Sequence, residues 1–426
     1  MPLSSLVYSP AVLCALFSAL VFTPSVSAQG ECLPYYYAPV GENKNAFPLS
    51  WTVADLVSGD TEAQAKFQSI EGQIPNIQPK GQQPGSLLGN WTGFTYDPSD
   101  PDCWYTWQKC TTPKLAGLPT DITVVPEPNV LGYAFDDGPN CSHNAFYDYL
   151  QSKEQTATMF YIGSNVMDWP VEAQRGLQDG HQICVHTWSH RYMTALTNSQ
   201  AFSELWYSMK MIKLAIGVTP TCWRPPFGDV DDRIRWIANT LGLSTIMWQY
   251  DSNDWRANTG NITDTDVDNN YLDLINASKN GTFSTHGTIM LTHELNNFTM
   301  SEAVKFYDQL ASAFSSIVPI GVALNVADPY FEGGYSLPSF EEYTGGKHIG
   351  SITGNGSNAN GPFTDPLNGT SGGTSGSGGS SGGGSGGTSS GNLSNGNHGG
   401  AAKVSLDGLG SFVGALTFVG AIMSML

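Results

Sequence analysis

Between about residues 129 and 328 short apolar runs alternate with amphipathic ones, and no other feature of this 426-residue chain restricts its fold as strongly. Strand-like runs are VLGYAF (130–135), TATMFYI (156–162), HQICVH (181–186), the segment around CWRP (222–225), STIMWQY (244–250), TIMLTH (288–293) and IGVALNV (320–326). Between them lie the helical runs 145–153, 171–178, 202–216, 231–242, 269–278 and 301–314. In the third of these, Leu205, Met209, Ile212 and Ile216 recur near helical spacing and form a core stripe. Such alternation predicts parallel strands joined by crossover helices. Seven strands buried on both faces predict an α/β fold built as a partial seven-stranded (β/α) barrel.

In such barrels chemistry collects at the C-terminal strand ends. Asp136 and Asp137 end the first strand, HTWSH (186–190) begins at the end of the third, RPPFGD (224–229) ends the fourth, DSNDW (251–255) ends the fifth, and His293 ends the sixth. Each motif alone has an ordinary structural explanation. The second acidic pair, Asp231-Asp232, reads as a helix start; a lone His293, Trp255 or Arg224 reads as packing or an ion pair. Five polar clusters at corresponding strand ends are hard to attribute to chance.

Adjacent carboxylates repel and raise each other's pKa, so Asp136-Asp137 needs a compensating charge. His186 and His190 lie one helical turn apart, which lets both imidazoles face one ion. Two His and one Asp suit zinc or a similar transition metal and leave positions for water and substrate. A dication offsets the carboxylate repulsion, and the second Asp is free to act as a base. Gly138 and Pro139 predict a tight turn where the two side chains diverge.

The ordered set AFDDGP, HTWSH, RPPFGD, DSNDW and IMLTH resembles the polysaccharide deacetylases, carbohydrate esterase family four, and looks most like the fungal GPI-anchored chitin deacetylases. The resemblance spans about 200 residues and implies the same partial barrel. It implies Asp136 as general base, Asp137, His186 and His190 as ligands of a zinc or cobalt ion, and Arg224 orienting the base. It further implies Phe227, through its backbone N–H, as oxyanion donor, His293 as general acid paired with Asp254, and Trp255 and Leu291 as the acetyl pocket. Two positions depart from the family pattern: Ala134 where Thr is common, and Phe227 where Tyr is common. The backbone contact at Phe227 survives that change, whereas a hydroxyl contact to sugar does not. Trp188, Tyr192, Trp223 and Trp248 stack on sugar rings or simply pack. The implied activity is hydrolysis of N-acetyl groups from chitin, a β-1,4-linked GlcNAc polymer, giving chitosan and acetate at the cell wall. Two alternatives stay open: deacetylation of another acetylated polysaccharide, and a non-catalytic wall-binding mannoprotein.

The rest of the chain reads as an exported protein. Residues 1–28 form a signal peptide with Val26-Ser27-Ala28 before the cleavage point, or else an uncleaved anchor. Residues 29–128 are a loop-rich N-terminal extension packed on the catalytic domain (129–345), with a separate binding module as the alternative. Residues 346–402, rich in Gly, Ser and Asn, bury too little apolar surface to fold and predict a disordered stalk. Residues 403–426 carry the uncharged run LGSFVGALTFVGAIMSML and read as a removed GPI-anchor signal, or else as a membrane-spanning helix.

Six cysteines remain after the signal, with 15 possible pairings. Cys103–Cys110 is the expected local pair, and Cys184 reads as either bridged or a buried free thiol. The net charge of −19 disfavours nucleic acid as a partner. A monomer tethered to the outer face of the membrane is expected, meeting chitin in the wall. Glycan acceptor sites are Asn90, Asn261, Asn276, Asn280, Asn297, Asn355, Asn368 and Asn392. A ninth sequon, Asn140, sits beside the catalytic turn, where a glycan would crowd the mouth.

Overall fold

The computed structural model describes residues 30–81, 89–260 and 262–352. The signal segment, the stalk beyond Ile352, the anchor segment 403–426 and the sequons Asn261, Asn355, Asn368 and Asn392 lie outside them. Among the described residues no helix is long and apolar enough to cross a membrane.

Eight strands form one sheet: β1 Val130–Gly138, β2 Thr158–Tyr161, β3 Gln182–Val185, β4 Cys222–Trp223, β5 Ser244–Thr245, β6 Tyr250–Asp251, β7 Thr288–Leu291 and β8 Ser316–Pro319. Their order is β5-β4-β3-β2-β1-β7-β6, with β8 also paired to β1. Every pairing among them is parallel. Helices Asn144–Ser152, Pro170–Gln178, Asn198–Ile216, Asp232–Thr240, Asp264–Lys279 and Asn297–Ala313 make the crossovers. Thr197 opens the longest of them with a capping box, its side chain accepting from Gln200 N, and Gly217 closes it in a left-handed conformation. The core runs continuously through the strands and the inner helix faces.

Three elements differ from the pattern expected of the sequence. The run 244–250 is two strands: Ile246 N still donates to Trp223 O of β4 while Ile246 bridges Ile122 of the N-terminal segment, and Gln249 N then donates to Ile289 O of β7. The sheet's two edges are thus successive pieces of one run. The run 320–326 is not a strand: β8 precedes it, and Ile320–Ala323 is a short helix. A short apolar run such as 320–323, buried on every side, carries no periodicity that separates strand from helix.

The third difference is Cys184, which is not a free thiol. It is bonded to Cys222, with Cα atoms 5.0 Å apart. The parallel register that sets Val185 beside Trp223 also brings these two cysteines together. Cys32–Cys141 and the expected Cys103–Cys110 complete three bridges.

The N-terminal segment is held to the barrel by buried contacts. Phe47 stacks on Trp188 with centroids 6.0 Å apart, and Ala54 N donates to Glu204 at 2.8 Å. Lys80 pairs with Asp102 and Asp231 in a site closed to water. At the other end the chain remains paired through Ile352, where Ser351–Ile352 lies antiparallel to Tyr335–Ser336.

Replacing Cys184 and Cys222 together by Ala should lower stability by roughly 2–4 kcal/mol, read as a shift in the urea midpoint; an unchanged midpoint would exclude that bridge. Asn140 donates its Nδ2 to Leu295 O at 2.7 Å and accepts from Ser142 N at 2.9 Å. A glycan on that nitrogen would break the first bond, so glycopeptide mass spectrometry should find Asn140 bare while exposed Asn90, Asn276, Asn280 and Asn297 remain available.

Candidate active site

The acidic pair sits on a β-bulge. β1 advances from Phe135 to Gly138 while β2 advances only from Met159 to Tyr161, so β1 carries one extra residue. Asp137 takes φ +72°, a left-handed conformation that costs free energy in a non-glycine residue. The bulge, rather than the Gly138-Pro139 turn, makes the two carboxylates diverge. Gly138 tolerates no side chain, since a Cβ there would lie 1.5 Å from Glu294 Oε1.

Asp136 is buried and turns to Arg224, whose Nη1 donates to its Oδ1 at 2.6 Å. Arg224 has no exposure; its Nε and Nη2 donate to Ile246 O and Met247 O, and Phe160 lies 4.1 Å beneath the guanidinium. The β1 backbone at Asp136 also bridges to the end of β7, with Asp136 N donating to Thr292 O and Glu294 N to Asp136 O.

Asp137 turns the other way. Its Oδ1 is 3.1 Å from His190 Nε2 and 3.4 Å from His186 Nε2. The HTWSH segment is not helical as its spacing suggested. Thr187 and His190 adopt positive φ, and this loop brings the rings together with centroids 5.0 Å apart. Buried Glu204 holds the loop, accepting from Trp188 N, Ser189 N and Ser189 Oγ at 2.6–2.9 Å.

The three groups suit a divalent cation. His186 Nδ1 lies 2.8 Å from Arg224 O, so it carries the proton and Nε2 presents a lone pair. Asp137 Oδ1 is buried without a hydrogen bond of good geometry. Burial lowers the pKa of His190, against the Asp137 carboxylate, which acts to raise it. Burial works to raise the pKa of Asp137, yet the neighbouring histidines hold it well below the usual carboxylate range. Ligands 2.0–2.1 Å from a tetrahedral ion stand about 3.4 Å apart, close to the two Asp–His spacings.

Across the cleft, His293 Nδ1 meets Asp254 Oδ1 at 2.6 Å, and the His293 backbone N–H donates to Oδ2 at 3.0 Å. Burial alone would lower the pKa of His293, but Asp254, and then Asp137 and Asp136, raise it to about 10. A cleft of about 420 Å³ joins the groups: Asp136, Asp137, His186, His190, Phe227, Trp255, Leu291 and His293 all line it. Arg224 and Asp254 stand behind that surface, touching it through Asp136 and His293. Phe227 has φ +57° and stacks on Tyr192 with centroids 4.1 Å apart. Of the four other aromatic candidates, Tyr192 and Trp248 line the cleft, while Trp188 and Trp223 are fully buried packing residues.

Sequence reasoning missed several contributors. Trp51 and Lys109, both from the N-terminal segment, line the cleft, and no motif marks them. Asp229 was quoted in its motif without a role. It is buried and accepts from Trp104 Nε1, Thr106 Oγ1 and both Thr194 donors at 2.7–2.8 Å, fastening the N-terminal segment beside the Phe227 turn. Glu204 carried a signal, being a carboxylate within the apolar stripe of its helix.

The chain matches the family model described as polysaccharide deacetylase over residues 124–246. It is 51% identical over 323 residues to chitin deacetylase 2 of Cryptococcus neoformans var. grubii, covering 76% of this chain and 71% of that protein. It is 44% identical over 319 residues to the chitin deacetylase of Amylomyces rouxii, covering 73% and 74%. Among solved structures, the chitin deacetylase of Colletotrichum lindemuthianum aligns with TM-score 0.45 and 22% identity, over 50% of this chain and 96% of that one. The chain belongs to the polysaccharide deacetylase family.

In the metal-free protein the raised pKa of His293 should tie stability to pH. The folded value exceeds the ordinary 6.5, so the contribution is fully present below pH 6.5 and is lost as pH rises through about 10. Urea midpoints should therefore fall between neutral pH and pH 10, and Asp254→Asn should flatten that fall; an equally steep fall in the variant would show that Asp254 does not hold the charge.

Proposed function

We propose that this protein is a metal-dependent chitin deacetylase, hydrolysing N-acetyl groups of a β-1,4-linked GlcNAc polymer to give chitosan and acetate. The observation that carries the reading is the opposition across one cleft of two ion pairs with reversed orientation, one presenting its carboxylate and the other its imidazole. Arg224 donates to Asp136 from behind and leaves a carboxylate oxygen toward the cleft, while Asp254 raises the pKa of His293 and so favours its protonated imidazole. One group is thereby poised to accept a proton and the other to donate one. Relatives named as chitin deacetylases, matched along most of their length, support the choice of substrate.

Asp137, His186 and His190 would hold a divalent ion, zinc or cobalt, which would supply Lewis acidity toward the acetyl carbonyl and water. Asp136 takes the proton as water adds to the acyl carbon. Arg224 fixes the orientation of that carboxylate and keeps its other oxygen facing the cleft. The Phe227 backbone N–H donates to the oxyanion. His293 protonates the amine nitrogen as the C–N bond breaks, releasing acetate and a glucosamine unit. Trp255 and Leu291 enclose the acetyl methyl group.

The protein works at the fungal cell wall as a monomer, reached through the secretory pathway and held by a GPI anchor. The small residues and apolar run of 397–426 support the anchor, and the stalk gives the catalytic domain reach. Release of the protein from membranes by phosphatidylinositol-specific phospholipase tests that placement.

Asp136→Asn should lower kcat for acetate release from a chitin oligomer about 10²–10⁴-fold, and a chelator should abolish it reversibly. A metal-loaded, folded protein that releases no acetate from chitin oligomers would overturn the reading.

A further inference from the structure

Beyond the reacting groups, the cleft carries two cations from different parts of the chain, Lys109 and Arg256. Both are exposed, and among the described residues neither has a carboxylate within ion-pairing distance. Each is instead placed over an aromatic ring: Lys109 Nζ is 4.5 Å from the centroid of Tyr105, and Arg256 Cζ is 5.5 Å from that of Trp255.

The platform under Lys109 is rigid. Tyr105 is buried and meets Trp248 of the cleft edge-on at 5.6 Å. Lys109 takes φ +59° and donates its N–H to Tyr105 O at 2.8 Å. The Cys103–Cys110 bridge closes this loop, and buried Arg235 donates to the carbonyls of both cysteines at 2.6 and 2.9 Å. The loop thus holds a side chain that makes no ion pair of its own at the cleft wall.

Charge balance gives that placement a consequence. Asp136 is paired with Arg224 and Asp254 with His293, and the charge of Asp137 would be offset by the dication that it and the two histidines would hold. What remains along the cleft is Asp251 against Lys109 and Arg256, so the outer cleft is net positive in a protein whose overall charge is −19. Resting on the deacetylase reading, the substrate begins neutral, and each turnover leaves one protonated amine on the polymer.

We propose that Lys109, with Arg256, is a specificity determinant that disfavours polymer segments whose flanking units have already lost their acetyl groups. The cations repel a glucosamine ammonium beside the reacting unit and leave a neutral N-acetylglucosamine unopposed. Deacetylation is therefore spaced along the polymer and slows before completion, and the selecting charge comes from the N-terminal segment as well as from the barrel.

The test uses the metal-loaded full chain at low salt and at a pH where glucosamine is protonated. Two pentamers are compared, one fully acetylated and one acetylated only at its central unit. The wild type should show the higher kcat/KM on the fully acetylated pentamer. Lys109→Met, which keeps an apolar stem over Tyr105, should shrink that ratio about fivefold, the scale of one solvent-exposed charge pair. Lys109→Arg should retain it. Raising salt to 0.5 M should shrink the wild-type ratio, since screening then acts over a few ångströms. A wild-type ratio near one, or a ratio indifferent to both Lys109→Met and salt, overturns the proposal while turnover of the acetylated pentamer leaves the deacetylase reading standing. If neither pentamer is turned over, dissociation constants from calorimetry give the same ratio without chemistry. The salt titration on the wild type decides the matter even if the Met variant fails to fold.

Discussion

Two adjacent carboxylates at a buried strand end cannot both be charged unless something compensates them, and most of the structure around the cleft answers that constraint. The bulge in β1 separates the pair, so that each carboxylate meets its own partner. Asp136 gains Arg224, a buried guanidinium fixed by two backbone carbonyls and an aromatic face. Asp137 gains the imidazoles of His186 and His190, and its bare oxygen faces them in the arrangement a dication would complete. Removing any one partner leaves a charge in a poorly solvated place, so the site is a coupled set rather than a collection of ligands.

Holding that set uses further buried acids away from the chemistry. Glu204 fastens the loop that carries both histidines, and Asp229 fastens the Phe227 turn to the N-terminal segment. Both have their pKa raised by burial, a cost offset in part by the donors converging on them. The left-handed residues Asp137, Thr187, His190, Phe227 and Asn253 cluster at the same strand ends. Backbone strain of this kind persists only where surrounding contacts over-determine it, and these carboxylates supply such contacts.

How much of this was legible in the sequence varied with the kind of signal. The alternation of runs located the six crossover helices and, one for one, five of the eight strands, because burial on both faces leaves a continuous apolar trace. It failed at 320–326, where four buried residues run straight into a half-exposed tail with no readable period, and at 244–250, where one run passes from pairing with β4 to pairing with β7. The residues that line or back the cleft were readable because their types and strand-end positions recur in a known pattern. The helical explanation for His186 and His190 was wrong in geometry though right in outcome, since a strained loop converges the rings. Cys184 could not be assigned, because pairing depends on which strands become neighbours.

The sequence by itself determined the parallel architecture, the strand-end placement of Asp136, Asp137, His186, Arg224, Asp254 and His293, and the need for a charge to balance the acidic pair. Those follow from local periodicity and from residue chemistry, which the chain carries wherever it folds. Only the tertiary structure decided how a bulge turns the two carboxylates apart, which cysteines join β3 to β4, and that Trp51 and Lys109 reach the cleft from far upstream. Those depend on strand neighbours, on an extra residue in one strand relative to the next, and on a long segment folding back over the barrel. Such long-range relations leave no trace in local sequence spacing.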